Sequence, residues 1–286
     1  NWSSILIRGL DPGYVPYRQN RPGVKSMKWL RCQTKDEPFY GLLNDNIVSK
    51  VHGSPFDGYE PTTQKFSIEE VKILPPVIPK TFYAAGINYK KHVLEAASLL
   101  NREPNLPEKA DIGYRANNAI IGHGDPIVIP RDATDKIHYE AELVVVIGKV
   151  AKNVSMEDSL KCVLGYTVGN DVSERTWQAS DRTLWRAKNT DTFKPMGPWI
   201  ETEANLNEMV TTVRLNGQET ISFETNDMIF GVEKYISEIT RYLTLHPGDV
   251  IWMGTDGTSK DMKNGDTCEI EISGVGTLSN PVIKDS

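Results

Sequence analysis

The feature that most limits how this chain can fold is a short apolar run at residues 143–147, rich in β-branched valine and isoleucine. Two glutamates, Glu140 and Glu142, precede the core of the run, and Gly148 ends it. A run of this length with these boundaries is typical of a buried strand, because a helix usually needs about ten residues or more. The sequence therefore predicts a strand inside a sheet, with two carboxylates at its start.

Similar short runs bounded by Gly, Pro or Asn occur along the rest of the chain. The predicted strands are 26–32, 40–43, 47–51, 127–130, 142–147, 164–168, 210–215, 249–253 and 268–272. The predicted helices are 89–100, 156–160, 174–180 and 229–242. Because strands dominate and neither a βαβ rhythm nor an internal repeat is visible, we predict an α+β fold with peripheral helices.

A proline-rich segment divides the chain into two predicted parts. Residues 73–79 carry three prolines, and proline disfavours both helix interiors and central strands. Before this segment, residues 1–78 mix short β-like runs with turn-forming residues. We therefore predict a small β-rich N-terminal lobe over residues 1–78 and a larger catalytic domain over residues 79–286.

Composition limits the class of partner. The net charge of −6 and the pI near 5.5 disfavour nucleic acid and anionic membranes, since proteins that bind them usually present basic surfaces. The cysteines at positions 32, 162 and 268 are widely spaced and form no CxxC pair, which favours a reducing compartment. No stretch approaches the roughly 18 apolar residues of a membrane span. We therefore expect a cytoplasmic protein that acts on a small molecule.

The paired glutamates are consistent with a metal site of a particular kind. On a strand, side chains two residues apart share a face at a spacing of roughly 6.5 to 7 Å, so Glu140 and Glu142 can converge on one point. Asp171, at the end of another predicted strand, offers a third carboxylate. Oxygen ligands of this kind suit Mg²⁺, Mn²⁺ or Ca²⁺. Two glutamates on one strand face are more often a solvated surface, so these residues alone leave both interpretations open.

Five motifs in a fixed order add to this interpretation. They are GxNYxxHxxE at 86–95, YEAELxxVIG at 139–148, NDVSxRxxQ at 170–178, the K..D.F.P.GPW stretch at 188–199, and the segments at 226–230 and 245–255. Together they resemble the signatures of the fumarylacetoacetate hydrolase (FAH) family over about residues 78–283. An ordered set of motifs is far more specific than any one of them.

The resemblance implies a fold, an assembly and a cofactor. Members of the family have an FAH-like mixed β-roll or β-sandwich C-terminal domain, here expected to follow the small β-rich N-terminal lobe, and they are usually homodimers. Glu140, Glu142 and Asp171 match the family's metal ligands. The resemblance therefore implies Mg²⁺ or Mn²⁺ as the cofactor, with Ca²⁺ as an alternative.

The resemblance also implies roles for other side chains. The implied catalytic residues are His92, Glu95 and Lys188. The implied substrate-binding residues are Arg115, Arg175, Gln178 and Thr255. Arginine suits bidentate recognition of a carboxylate, and a lysine adds positive charge to a developing oxyanion. For Arg175 and Gln178, a helix-surface salt bridge and a helix-surface amide are the alternatives.

His92 and Glu95 are three residues apart in a predicted helix, which places both side chains on one face. A carboxylate in this position can orient an imidazole and raise its basicity, so that His92 acts as a general base toward water. An exposed helix pair without a catalytic role is the alternative.

Two positions depart from the family pattern. Where much of the family has GTPxG, this chain has Gly254, Thr255, Asp256 and Gly257, so Asp256 replaces a rigid turn residue and adds a charge. Where much of the family has a lysine before the glutamates, this chain has Arg115, and the two basic side chains are not interchangeable. These differences leave the metal ligands unchanged and leave the substrate open.

The leading prediction is metal-dependent hydrolysis of a C–C bond in an acylpyruvate-like or other 1,3-dicarbonyl acid, through a stabilised enolate. The alternative is decarboxylation or isomerisation of an oxo acid, such as oxaloacetate or a hydroxymuconate-type compound, at the same site. A third hypothesis is a non-catalytic binding protein on the same scaffold, and the retained ligand, dyad and lysine candidates argue against it.

Overall fold

The computed structural model describes residues 26–35, 37–99, 103–257 and 259–286, so part of the predicted N-terminal lobe lies outside the described residues. The strands are β1 (Lys28–Gln33), β2 (Phe39–Asn44), β3 (Ile47–Ser54), β4 (Gly58–Ser67), β5 (Lys72–Leu74), β6 (Phe82–Ala85), β7 (Ile112–Tyr114), β8 (Ile120–Ile121), β9 (Ile127–Ile129), β10 (Ile137–His138), β11 (Ala141–Ile147), β12 (Val163–Asn170), β13 (Ser173–Glu174), β14 (Lys194–Glu201), β15 (Val210–Leu215), β16 (Gln218–Glu224), β17 (Val250–Trp252), β18 (Thr267–Ile272) and β19 (Gly276–Lys284). The helices are α1 (Lys90–Leu99), α2 (Met156–Ser159), α3 (Arg175–Ser180), α4 (Trp185–Asn189) and α5 (Val232–Tyr242).

The strands form one large sheet and two smaller ones. The large sheet has the order β4-β3-β2-β1-β14-β12-β11-β17-β6-β7, with β5 paired to β1 and β8 paired to β14. A five-stranded sheet has the order β16-β15-β18-β19-β9, and β10 pairs with β13. Most of these pairs are antiparallel, whereas β6 with β17, β8 with β14 and β9 with β19 are parallel. The structure confirms the strand-dominated α+β fold.

Strand β11 lies at the centre of the large sheet, and each of its seven residues is buried. It pairs antiparallel with β12 on one side and with β17 on the other. Gly169 of β12 permits this packing, because a Cβ atom there would lie 2.7 Å from the Trp252 ring. The short apolar run is therefore a core strand, as the sequence predicts.

The register of β11 and β12 brings the three candidate metal ligands together where β11 begins and β12 ends. Ala141 lies opposite Asn170, so Glu140 and Asp171, one residue beyond, come together. The backbone N–H of Asp171 donates to the Glu140 carbonyl at 2.9 Å, and the Asn170 side-chain oxygen accepts from the Glu140 N–H at 3.0 Å. Hydrogen bonds between the ends of the two strands thus fix the positions of Glu140 and Asp171 relative to each other, and Glu142 lies in β11 itself.

The N-terminal strands belong to the same sheet as the rest of the molecule. β1 pairs with β2 on one side, and Lys28 and Trp29 pair with Glu201 and Ile200 of β14 on the other. The predicted N-terminal lobe and the predicted catalytic domain therefore share one sheet. The division of the chain at residue 78 stays a prediction.

Helices cover the sheets through apolar faces. In α5 the residues Val232, Tyr235, Ile236 and Ile239 are buried, at the spacing of one face of a helix. These side chains pack into the largest apolar cluster, which also contains β11 and β18 residues. Among the described helices, none is long and apolar enough to cross a membrane.

Candidate active site

Three buried carboxylates form the centre of the candidate site. Glu140, Glu142 and Asp171 are 6%, 4% and 1% exposed, and each places one carboxylate oxygen within 4.8 Å of the others. Burial of this degree excludes the solvated-surface alternative. The donor set contains only hard oxygen atoms, so it fits Mg²⁺, Mn²⁺ or Ca²⁺ better than a softer metal.

Four basic side chains surround this acidic cluster. Arg115 donates to both Asp171 oxygens, from Nε to Oδ1 at 3.1 Å and from Nη2 to Oδ2 at 2.9 Å. Lys188 contacts Glu140 Oε2 and lies 2.9 Å from Asp171 Oδ2. Lys194 lies 2.8 Å from Asp171 Oδ1, and Arg175 lies 2.6 Å from Glu140 Oε1. The cluster and its basic partners therefore carry a net positive charge.

The three carboxyl groups differ in protonation because their neighbours differ. Burial raises the pKa of Glu142, and the negative charges of Asp171 and Glu140 act in the same direction, so that it lies at about 8. Burial acts in the same direction on Glu140, but Lys188 and Arg175 outweigh it and hold that pKa below its usual range. Arg115, Lys188 and Lys194 likewise overcome burial at Asp171 and lower its pKa. Glu142 is therefore the carboxyl that binds a proton near neutral pH.

Cation binding should depend on pH, because Glu142 must lose its proton to become a metal ligand. The free protein holds this proton below its pKa near 8 and loses it above. We expect the affinity for Mn²⁺ to rise by up to about tenfold per pH unit below roughly pH 8 and to level off above. Calorimetric titration at about pH 7 in two buffers of different ionisation enthalpy should show proton release on binding. Binding without proton release would contradict the expectation.

The arginine and glutamine of the third motif both lie on α3, where Arg175 is the first residue. Arg175 Nη1 donates to Gln178 Oε1 at 2.7 Å and also contacts Glu140, so Arg175 reaches the carboxylate cluster and Gln178 is joined to it through Arg175. The Arg175 side chain is 22% exposed, which leaves part of the guanidinium accessible. The helix-surface alternative for Arg175 is excluded, because its ion pair is made with a buried candidate ligand.

A histidine that the sequence analysis missed supports this arginine. Arg175 Nε donates to His138 Nδ1 at 3.0 Å, and His138 Nε2 lies 2.8 Å from Asp261 Oδ1. Since Arg175 Nε has no acceptor capacity, His138 must accept at Nδ1 and carry its proton on Nε2. The chain from Asp261 through His138 therefore orients Arg175 toward Glu140.

His92 lies on α1 above a glycine turn. A Cβ atom at Gly257 would lie 2.4 Å from His92 Nδ1, so the imidazole packs directly on this turn. The same turn reaches the carboxylates, since the Gly254 N–H donates to Glu142 Oε2 at 2.8 Å. Glu95 lies on α1 as predicted, but its side chain lies outside the described residues. The pairing of His92 with Glu95 therefore stays a prediction.

The turn after β17 also contains Thr255 and Asp256. Thr255 is half-buried between Gly254 and the buried Asp256. The Asp256 carboxylate pairs with Lys91 of α1 at 2.6 Å, with exposed side-chain fractions of 5% and 50%. The carboxylate that departs from the family pattern thus forms an ion pair with the helix that carries His92. Thr255 as a substrate contact stays a prediction.

An open depression of about 630 Å³ lies beside Arg115. Exposed aromatic side chains of Tyr114 and Trp185 line it, together with Asn189 of α4 and neighbouring polar residues. Asn189 Oδ1 accepts from the Ala116 N–H at 2.8 Å, which joins α4 to the segment after β7. Arg115 therefore lies between this depression and Asp171.

The strand-dominated fold and the three buried carboxylates are those expected of a metal-binding protein. Comparison with known sequences and structures identifies its family. Residues 81–283 match the model of the fumarylacetoacetate hydrolase C-terminal family. Residues 27–76 match a second model, described as the Rv2993c-like N-terminal family. The chain belongs to the fumarylacetoacetate hydrolase family.

Relatives with named activities are enzymes. The chain is 33% identical to oxaloacetate tautomerase YisK of Bacillus subtilis, over 76% of this chain and 75% of the relative. It is 36% identical to a bifunctional isomerase/decarboxylase of 4-hydroxyphenylacetate degradation from Salmonella dublin, over 71% of this chain and 47% of that protein. The crystal structure of a 5-carboxymethyl-2-hydroxymuconate delta-isomerase from Mycobacterium smegmatis matches with a TM-score of 0.82 and 33% identity, over 91% of this chain and 100% of that one.

Proposed function

We propose that the protein is a divalent-metal-dependent enzyme that isomerises a short oxo-acid dianion, of the oxaloacetate type, between its enol and keto forms. The observation that carries the proposal is the buried cluster of three carboxylates inside a ring of four basic side chains. Relatives above 30% identity that are named as a tautomerase and an isomerase support this choice of reaction.

The charges of the site favour a substrate with two negative groups. When all three carboxylates are ionised, as cation binding requires, four basic and three acidic side chains leave one positive charge, and a divalent cation would raise the excess to three. An acid that carries two carboxylates, or one carboxylate and an enolate, compensates most of this excess. Proteins rarely leave a buried charge unpaired, so the site is suited to an anionic oxo acid rather than a neutral ketone.

A divalent cation held by Glu140, Glu142 and Asp171 would supply Lewis-acid stabilisation for an enolate oxygen. Lys188, 5% exposed and next to two of these carboxylates, places an ammonium group where negative charge develops. Arg175, with Gln178 fixed beside it, is suited to hold the substrate carboxylate by its planar guanidinium. These residues bind and orient the acid, whereas a separate group must move the proton.

His92 is the group we propose for proton transfer, because it lies on the turn that contacts Glu142. Enol–keto isomerisation removes a proton from the enol oxygen and adds one to the α-carbon, which lies two bonds away, and an imidazole can serve in turn as the base and the acid. Helix α1 would hold this imidazole over the substrate. The dyad with Glu95 is part of the proposal.

The test is a product analysis with purified protein and Mn²⁺. The enol absorbance of oxaloacetate should decay faster with protein than without, while keto-oxaloacetate accumulates without pyruvate or CO₂. Pyruvate and CO₂ in equal amounts would instead indicate decarboxylation. No acceleration with Mg²⁺, Mn²⁺ or Ca²⁺ would contradict the proposed activity on this class of acid.

Hydrolysis of a C–C bond in an acylpyruvate-like acid, the first choice of the sequence analysis, is the second candidate function. His92 favours it, because a half-buried imidazole beside an anion site can activate water as well as transfer a proton. Acetylpyruvate is the discriminating substrate, since its hydrolysis yields acetate and pyruvate whereas isomerisation yields neither. The cytoplasmic location and the homodimer expected from the sequence remain parts of the proposal.

Replacement of His92 by Asn should lower kcat by about 10²-fold, because the proton must then move through water. Mn²⁺ affinity should stay unchanged, since His92 is not among the carboxylate ligands. His52→Asn is the matched control, because His52 is exposed on β3. Steady-state kinetics and Mn²⁺ titration on both variants give the comparison. A His92→Asn enzyme with wild-type kcat would exclude His92 as the proton-transfer group.

A further inference from the structure

We propose that Lys194 and Arg115 compete with a divalent cation for Asp171, so that the cation binds firmly only together with an oxo-acid anion. The inference rests on the proposed function, because it assumes that the three carboxylates hold a cation. It assigns these two residues a defined effect, the coupling of cation binding to anion binding.

The hydrogen-bonding capacity of Asp171 is full. A carboxylate offers about four lone-pair sites on its two oxygens. Oδ1 accepts from Arg115 Nε at 3.1 Å and from Lys194 Nζ at 2.8 Å. Oδ2 accepts from Arg115 Nη2 and from Lys188 Nζ, each at 2.9 Å. A cation can therefore bind Asp171 only if it displaces or weakens one of these donors.

Lys194 is the donor that cannot move away. Its ammonium also donates to the backbone carbonyls of Val172 at 2.9 Å and Phe193 at 2.8 Å, so its three N–H groups are all in use. The side chain is 0% exposed and starts from β14, the strand next to β12. The ammonium group of Lys194 is therefore held in place next to Asp171, where its positive charge opposes a cation bound to that carboxylate.

Arg115 and Lys188 are the donors that can yield. Their side chains are 11% and 5% exposed, against 0% for Lys194, and Arg115 borders the open depression described above. If a cation takes their place at Asp171, both positive groups lose a partner inside a buried site. An unpaired buried charge is costly, and the carboxylate of an oxo acid would supply the new partner.

This exchange of partners couples binding of the cation to binding of the oxo-acid anion. The anion binds better when the cation has freed the basic groups, and the cation binds better when the anion compensates them. By thermodynamic linkage, each ligand must strengthen the other by the same factor. The positive charges of Lys194 and Arg115 weaken binding of the cation when no anion is present. Replacement of that lysine by a neutral residue should therefore strengthen cation binding and reduce its dependence on the anion.

The test measures Mn²⁺ binding by the EPR signal of free Mn²⁺, with and without oxalate, which is an unreactive dianion with the oxygen spacing of a 2-oxo acid. A blank without protein corrects for the soluble oxalate complex. In the wild type, oxalate should strengthen Mn²⁺ binding by at least about tenfold. Lys194→Met should bind Mn²⁺ alone about tenfold or more tightly than the wild type, with a smaller oxalate effect.

Arg115→Gln is the second variant, which keeps the inference testable if Lys194→Met does not fold. It removes a competing cation from the same oxygens, so we expect the same direction of change in Mn²⁺ affinity. Lys234→Met, on the surface of α5, is the control for removal of a lysine charge. Unchanged Mn²⁺ affinity in every folded variant that lacks one of the two charges, or no oxalate effect in the wild type, would overturn the inference. No Mn²⁺ binding in any protein, with or without oxalate, would instead remove the metal site on which the proposed function depends.

Discussion

Glu142→Gln should strongly weaken cation binding and activity while leaving the fold intact. Glutamine has nearly the shape of the protonated Glu142 side chain, and its Oε1 can still accept the Gly254 N–H that donates to Glu142 at 2.8 Å. Because the pKa of Glu142 is raised to about 8, the free protein already carries a neutral group there near pH 7. The substitution therefore costs little in stability and removes one of the three candidate metal ligands.

The expected losses are large because a missing ligand weakens the whole site. We expect Mn²⁺ affinity to fall by about 100-fold or more, since even outer partners of metal ligands contribute 10–100-fold. Loss of the Lewis acid should lower kcat/KM by at least about 10³-fold, which corresponds to several kcal/mol of transition-state stabilisation. Metal content after dialysis, steady-state kinetics and thermal unfolding are the measurements.

Glu60→Gln, on exposed β4, is the matched control because it makes the same chemical change away from the site. It should keep wild-type metal content and kcat/KM. If Glu142→Gln kept both within a factor of about three, the three carboxylates would not be the functional metal site. If its unfolding midpoint fell sharply, the carboxylate would have a structural role that the burial argument does not predict.

Local patterns in the sequence were sufficient to predict the strands that carry the candidate ligands. The apolar run before Gly148 predicts a core strand, and β11 is that strand. Glu142 lies in β11 and Glu140 immediately before it, so their closeness could be predicted from one segment without knowledge of the partner strands. The convergence of Asp171 depends on the register of β11 with β12, and only the ordered motifs indicated that it would join the pair.

Other features of the site could not be predicted, because they depend on contacts between distant segments. Lys194 stands between Phe193 and Pro195 in a segment without clear periodicity, and nothing local shows that its ammonium is directed at Asp171. His138 immediately precedes the glutamate motif, but its partner Asp261 is 123 residues away. The full burial of Lys194 marks it as unusual, but this burial can be recognised only when it is known that β14 is an internal strand.

Lys188→Met should separate catalysis from cation binding. The ammonium of Lys188 contacts Glu140 and lies 2.9 Å from Asp171, so it competes for the oxygens that a cation would use. Its removal lowers the positive charge of the site by one, and methionine fills a similar volume. We therefore expect a folded protein that binds Mn²⁺ at least as tightly as the wild type.

The same variant should be nearly inactive, because the positive charge next to the developing enolate is lost. Removal of one group that stabilises an oxyanion typically costs about 10² to 10³-fold in kcat, and we expect a loss of this size. Lys188→Arg should restore little activity, since the planar guanidinium cannot occupy the position of a compact ammonium group.

Lys234→Met is again the surface control and should match the wild type in both assays. Mn²⁺ affinity that rises or stays constant while kcat falls would assign Lys188 to charge stabilisation of the reacting acid. Loss of Mn²⁺ together with activity would instead mean that Lys188 holds Glu140 and Asp171 in place, which is a positioning role. A kcat within about threefold of the wild type would exclude both roles, because Lys188 then contributes neither charge nor geometry to the reaction.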